Sequence, residues 1–137
     1  MIVLDASAAV ELVLGTNRAI AREVLNPDQQ IHAPYLVDVE VTQTLRRLLL
    51  ARQLTPVRAE EALADFGLLA IARHPHAPLL RRMWALRANL SACDATYVVL
   101  AEALDAPLLT CDAKLAGASG HRAQIQLVRP ERGRTAH

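Results

Sequence analysis

The sequence predicts an α/β fold in which one parallel sheet is covered by helices, and three observations carry that reading. Five short apolar runs alternate with longer amphipathic segments along the 137 residues, the order that strand-helix-strand units produce. The runs are mostly apolar, which fits a parallel sheet covered by helices on both faces. Apolar residues make up 53% of the chain although it holds only one Trp, two Tyr and one Phe, so the core must be built from Leu, Val, Ile and Ala.

In order, "IVL" (2–4) is a strand that ends at Asp5. "SAAVELVLG" (7–15) is a helix with Gly15 as its stop. "NRAIAREVLN" (17–26) is a second helix, with Asn17 as N-cap and Pro27 beyond its end. "IHA" (31–33) is a strand before Pro34, and residues 36–53 form a long amphipathic helix. The next helix takes Thr55 as cap and Pro56 as its first residue, and closes at Gly67. "LLAIA" (68–72) is a buried strand, residues 77–90 and 91–104 are two helices, and "PLLT" (107–110) and "IQLV" (125–128) are the last strands. The polar tail 129–137 is expected to fray. No repeat or linker divides the chain, so residues 1–137 are expected to form a single domain.

Fifteen Lys and Arg stand against fourteen Asp and Glu, so bulk charge does not point to nucleic acid. The basic side is nearly all arginine, with Lys114 the one lysine. Arginine suits phosphate through its planar fork, and it can equally reflect genomic base composition. Two cysteines, Cys93 and Cys111, make neither a disulfide framework nor a zinc site and fit a reducing cytosol. No signal peptide is visible, and Glu102 and Asp105 interrupt the apolar stretch near Val98 too soon for a membrane span. A cytoplasmic location without a membrane partner is expected.

Four carboxylates stand out. Asp5 and Asp112 each follow an apolar strand, and ligands of parallel sheets collect outside the carboxyl ends of strands. Helix capping is an alternative for each, although Ser7 could cap the first helix by itself. Glu40 lies within the stripe Val37, Val41, Thr44, Leu45, Leu48, while Asp38 points to another face. An inward glutamate needs a metal or an ion-pair partner. Asp94 interrupts an otherwise apolar helix, and its spacing from Ser91 also fits a capping box. If the four meet, their mutual repulsion calls for a divalent cation, and an all-oxygen set suits magnesium or manganese rather than zinc.

At these residues the chain resembles the PIN-domain ribonucleases, and among them the VapC-type toxins of type II toxin–antitoxin pairs. The resemblance covers nearly the whole chain and is strongest at "VLDAS" (3–7), "APYLVDVEV" (33–41) and "CDATYVVLAEALDAPLLTCDAKLA" (93–116). It implies a three-layer sandwich around a parallel five-stranded sheet, with Asp5, Glu40, Asp94 and Asp112 as an acidic quartet. It implies that Ser7 and Thr110 support that site through their hydroxyls. It also implies a homodimer bound by a cognate antitoxin.

The activity expected on this basis is Mg2+-dependent hydrolysis of RNA, with Mn2+ as a substitute. Asp5, Asp94 and Asp112 would be the more direct ligands, and Glu40 would bind a second ion or orient the water. Arg46 and Arg47, just beyond Glu40, and Arg81, Arg82 and Arg87 on a later helix are candidates for gripping RNA, each with a solvated helix face as its alternative. A binding module whose acidic pocket accepts a basic side chain is the rival reading. A phosphatase of the haloacid dehalogenase type ranks lower, because the residue two after Asp5 is Ser7 where that family carries a second Asp.

Overall fold

The computed structural model describes residues 1–130. Strands β1 (Ile2–Leu4), β2 (Ile31–Pro34), β3 (Ile71–His74), β4 (Leu108–Thr110) and β5 (Ile125–Leu127) form one sheet in the order β3-β2-β1-β4-β5, and every neighbouring pair is parallel. The expected α/β fold with a five-stranded parallel sheet is what is found. From β1 the chain builds β2 and β3 on one side, then returns to lay β4 and β5 on the other. The order therefore reverses between β1 and β4, and the connections leaving these two strands diverge. A crevice opens at such a point, outside the carboxyl ends of the strands. Asp5 and Asp112 stand at its rim, one residue past β1 and two past β4.

Helices α1 (Ala6–Leu14), α2 (Arg18–Val24), α3 (Leu36–Leu50) and α4 (Pro56–Leu68) pack through α1, which touches the other three. Helix α6 (Ala92–Leu104) packs on β1, β2 and β4, with α5 (Leu80–Ala85) against it. A four-residue helix α7 (Ala113–Ala116) follows β4. The core between these elements is aliphatic, with Val3, Leu4, Ile20, Val37, Val41, Val98, Leu108 and Leu109 shut off from solvent.

The helix ends follow local chemistry. Gly15 closes α1 at φ 70°, where a side chain would be strained. Buried Asn17 caps α2 through its oxygen, and its amide donates to the Val128 carbonyl at 3.1 Å, which ties α2 to the end of the sheet. Thr55 caps α4 with Pro56 at its first position, and Ser91 caps α6.

Several expectations are corrected. The first helix is capped by Asp5, and Ser7 lies inside α1. The third strand is Ile71–His74 rather than 68–72, because its register is set by β2, from Ile31 opposite Ile71 to Pro34 opposite His74. It is an edge strand and only partly buried, while α4 runs through Gly67 to an exposed Leu68. The long helix stops at Leu50, short of residue 53. The helix expected over 77–90 breaks into a 3-10 turn at Ala77–Leu79, then α5, then turns that bury Leu86 and Leu90 ahead of Ser91. Of the tail expected to fray, residues 131–137 lie outside the described residues.

Candidate active site

Asp5 is the most deeply set carboxylate, 4% exposed. As the N-cap of α1 it accepts from the Ala8 amide at 2.9 Å. The Ser7 hydroxyl donates to its Oδ1 at 2.7 Å, and the Thr110 hydroxyl donates to its Oδ2 at 2.5 Å. Ser7 in turn accepts from the Cys111 amide, and Thr110 from the Asp112 amide. The two hydroxyls thus join the end of β1 to the link between β4 and α7. Burial pushes the Asp5 carboxyl up to about 6, against the three hydrogen bonds that favour its ionised form, and the charge of Asp112 adds to the rise.

Asp112 caps α7, its Oδ1 accepting from the Lys114 and Leu115 amides. Capping and a place at the crevice are therefore compatible for both aspartates, because a cap occupies only part of a carboxylate's acceptor capacity. Asp94 sits in the first turn of α6. Ser91 accepts from its amide at 3.2 Å, but among the described residues its carboxylate takes no hydrogen bond, so the capping box is only half formed. Asp5, Asp94 and Asp112 thus all lie at helix N-termini, where free amides and the helix dipole favour negative charge.

Glu40 arrives from α3. Among the described residues it has no ion pair, and its side chain makes no hydrogen bond. Its neighbour Asp38 is the paired one, held by the Arg73 guanidinium of β3 at 2.8–3.0 Å. The two acids therefore project from different faces of α3.

Asp5, Ser7, Glu40, Asp94 and Asp112 line one cavity of about 220 Å³, together with Ala6, Thr44, Arg47 and Tyr97. Thr110 stands behind it, fully buried and bonded to Asp5. Of the candidate arginines the cavity gathers Arg47 alone. Arg46 borders an apolar groove between α3 and α4, Arg81 is exposed on α5, Arg82 is forked onto Glu102 at 2.9 and 3.0 Å, and Arg87 lies over the Trp84 ring.

Two polar lining residues, Thr44 and Tyr97, are not among the site candidates read from the sequence. Thr44 donates to the Glu40 carbonyl and accepts from Arg47. Tyr97 is 2% exposed, and its hydroxyl has no hydrogen-bond partner. Burial, and next the Glu40 carboxylate beside it, push the phenol's pKa far up. The two groups nonetheless do not meet in hydrogen-bonding geometry. The usable signal for Tyr97 is its place three residues after Asp94, one helical turn along α6.

The donor set is all oxygen, which suits a hard cation. Among the described residues no three His, Cys, Asp or Glu side chains are arranged to hold a metal ion as they stand. The carboxylates share a cavity rather than close a shell.

Comparison with known proteins adds four findings. Residues 2–120 match the family model described as the PIN domain. The chain is 41% identical over 130 residues to Ribonuclease VapC12 of Mycobacterium tuberculosis, covering 93% of this chain and 99% of that protein. It is 42% identical over 129 residues to Ribonuclease VapC1 of the same organism, covering 93% and 97%. Among solved structures, PAE2754 from Pyrobaculum aerophilum superposes with a TM-score of 0.70 over 90% of this chain and 81% of that one, at 20% identity, which is a likeness of fold.

Proposed function

The chain belongs to the PIN-domain family, in its VapC branch, and from that premise we propose that it is a metal-dependent endoribonuclease, the toxin of a toxin–antitoxin pair, hydrolysing RNA phosphodiesters at the acidic cavity. The observation that carries this reading is the convergence of Asp5, Glu40, Asp94 and Asp112, from four separate segments, on one cavity at the switch point of the sheet.

Bound Mg2+, or Mn2+ in its place, would lower the pKa of a water and offset charge on the phosphoryl oxygens. The chain's own groups do the rest. Asp94 offers both carboxylate oxygens, Asp112 the oxygen its cap does not use, and Asp5 the remaining lone pair of Oδ2. Ser7 and Thr110 hold the Asp5 carboxylate in one orientation through its two oxygens. Glu40, which lines the same cavity without a partner among the described residues, accepts a hydrogen bond from the attacking water and aims it. Arg47 supplies positive charge at the cavity edge for the phosphate backbone. No Ser-His-Asp constellation is required.

The proposal extends to the setting. One domain carries the activity in the cytoplasm; among the described residues no helix is long and apolar enough to cross a membrane. A cognate antitoxin and a second copy of the chain are its protein partners, and exposed Val39, Leu50, Leu63 and Trp84 give them apolar surface. The test is sequencing of RNA ends after brief expression of wild type and of Asp94→Asn. Discrete new ends with wild type and none with the variant are expected. Identical ends from both would overturn the reading and favour a module that only binds.

A further inference from the structure

Tyr97 is buried, yet its hydroxyl has no partner. A buried hydroxyl left unpaired destabilises a fold, and phenylalanine would fill the same space without that penalty. The core does not explain the oxygen. The cavity does, because Tyr97 lines it on α6 and Glu40 lines it from α3. Among the described residues the Glu40 side chain makes no hydrogen bond or ion pair. A lone donor and a lone acceptor thus stand side by side in one site. Glu40 also differs from Asp5, whose carboxylate is held by three donors. A glutamate reaches the site through three rotatable bonds and needs a fixed group to choose among its orientations.

We propose that Tyr97 is a positioning residue for the reaction assigned above: its O–H donates to the Glu40 carboxylate, directly or through one water, and sets the direction in which that carboxylate faces the attacking water. The rigid ring, packed in α6 one turn from Asp94, registers α3 against α6 across the cavity. This inference rests on the reading of the cavity as catalytic.

Two measurements test it on the full chain. In the first, a short fluorescent RNA spanning a site that wild type cuts is cleaved by wild type, Tyr97→Phe, Glu40→Gln and the double variant, the weaker ones at high enzyme concentration. Tyr97→Phe is expected to lose at least about tenfold in kcat with KM within about twofold. In the Glu40→Gln background the same change is expected to add less than about twofold, since the group it positions is already gone. In the second, the protein is labelled at tyrosine Cζ and observed by NMR in chelator. The chain has two tyrosines, so Tyr35→Phe assigns the signals. The Tyr97 signal is expected to move in Glu40→Gln, and this readout depends neither on metal nor on the Phe variant folding.

Wild-type kcat in Tyr97→Phe, losses that multiply in the double variant, or a Tyr97 signal indifferent to Glu40→Gln would each overturn the proposal. Asp94→Asn, assayed alongside, separates the two levels. If it is inactive while Tyr97→Phe is fully active, only the role of Tyr97 falls. If it cleaves like wild type, the catalytic reading of the cavity falls instead.

Discussion

The Thr110 hydroxyl donates to Asp5 Oδ2 at 2.5 Å, although the residues are 105 positions apart in the chain. Ser7 donates to the other oxygen at 2.7 Å. Each hydroxyl has one proton to give, and each gives it to Asp5. The 3.3 Å approach of Ser7 Oγ to Thr110 Oγ1 is then a contact between two acceptors rather than a bond. The result is a carboxylate fixed in orientation but poorly hydrated, with its proton affinity raised by burial.

A pH dependence follows from that raised value. The Asp5 carboxyl goes from 3.8 to about 6 on folding, so the metal-free folded chain binds its proton more tightly than the unfolded one. The associated stability is fully present below pH 3.8 and is lost as pH rises through about 6, to the extent of about 3 kcal/mol. Melting curves in chelator from pH 4 to pH 7.5 are therefore expected to gain for Asp5→Asn relative to wild type as pH rises. A difference between the two that stays constant across the range would contradict the burial argument. Added Mn2+ should stabilise wild type more at the upper end, because a ligand must be ionised to bind it.

Asp38 and Glu40, two residues apart on α3, should separate stability from activity. Asp38→Asn breaks the fork to Arg73, a partly exposed pair, and is expected to cost about 1 kcal/mol or less, a shift of a few degrees in melting temperature, with cleavage unchanged. Glu40→Gln breaks no ion pair with the described residues and keeps an acceptor oxygen for Tyr97, so it is expected to melt like wild type while losing at least about 100-fold in cleavage, the usual scale for an acid–base or water-orienting group. Assaying both variants by melting and by RNA cleavage checks the pair, and the opposite pattern would remove Glu40 from the site.

Why the strand-end acids and the phase of Glu40 are legible in the sequence has a physical basis. An acid after a short apolar run, or inside a stripe at three-and-four spacing, is a local pattern that backbone geometry turns directly into a position. What stays hidden depends on distant partners. The register of β3 is set by β2, some 40 residues upstream in the chain, so "LLAIA" looks like the strand although its first leucine ends a helix. Arg82 has the look of a solvated residue until Glu102, 20 positions on, is seen to hold it. Helix α7 has four residues, too few to show a period. Tyr97 lies on a helix that is apolar nearly all round, where periodicity reads it as core. Its unpaired hydroxyl is a property of the assembled cavity alone.

The arginines should divide in the same way. Arg47→Ala is expected to raise KM for RNA severalfold with little change in kcat, and to flatten the dependence of KM on salt, since a phosphate contact acts through released counterions. Arg82→Ala leaves the Glu102 carboxylate, 1% exposed, with the Arg122 amide as its remaining partner. It is expected to lower the melting temperature and leave cleavage per folded molecule unchanged. Salt-dependent kinetics on both variants test the division, and equal losses of RNA affinity would mean that Arg82 leaves Glu102 to bind substrate.

The last expectation joins the acids to a metal through stability alone. Asp94 is partly exposed, and among the described residues its carboxylate takes no hydrogen bond. Asp94→Asn should therefore melt no lower than wild type in chelator, and the loss of one charge from the cavity relieves part of the repulsion there. A cation that binds only the folded chain stabilises it by mass action, about 2.7 kcal/mol at a hundredfold excess over its dissociation constant. For a chain of this length that corresponds to a rise on the order of 10 °C. Wild type should show this rise in millimolar Mn2+, and Asp94→Asn much less of it, having lost the carboxylate with both oxygens free. Thermal melts of the two proteins in chelator and in metal decide the matter. Equal rises would mean that Asp94 does not bind the ion, and no rise in either would leave the acidic cavity to a basic side chain of a partner instead.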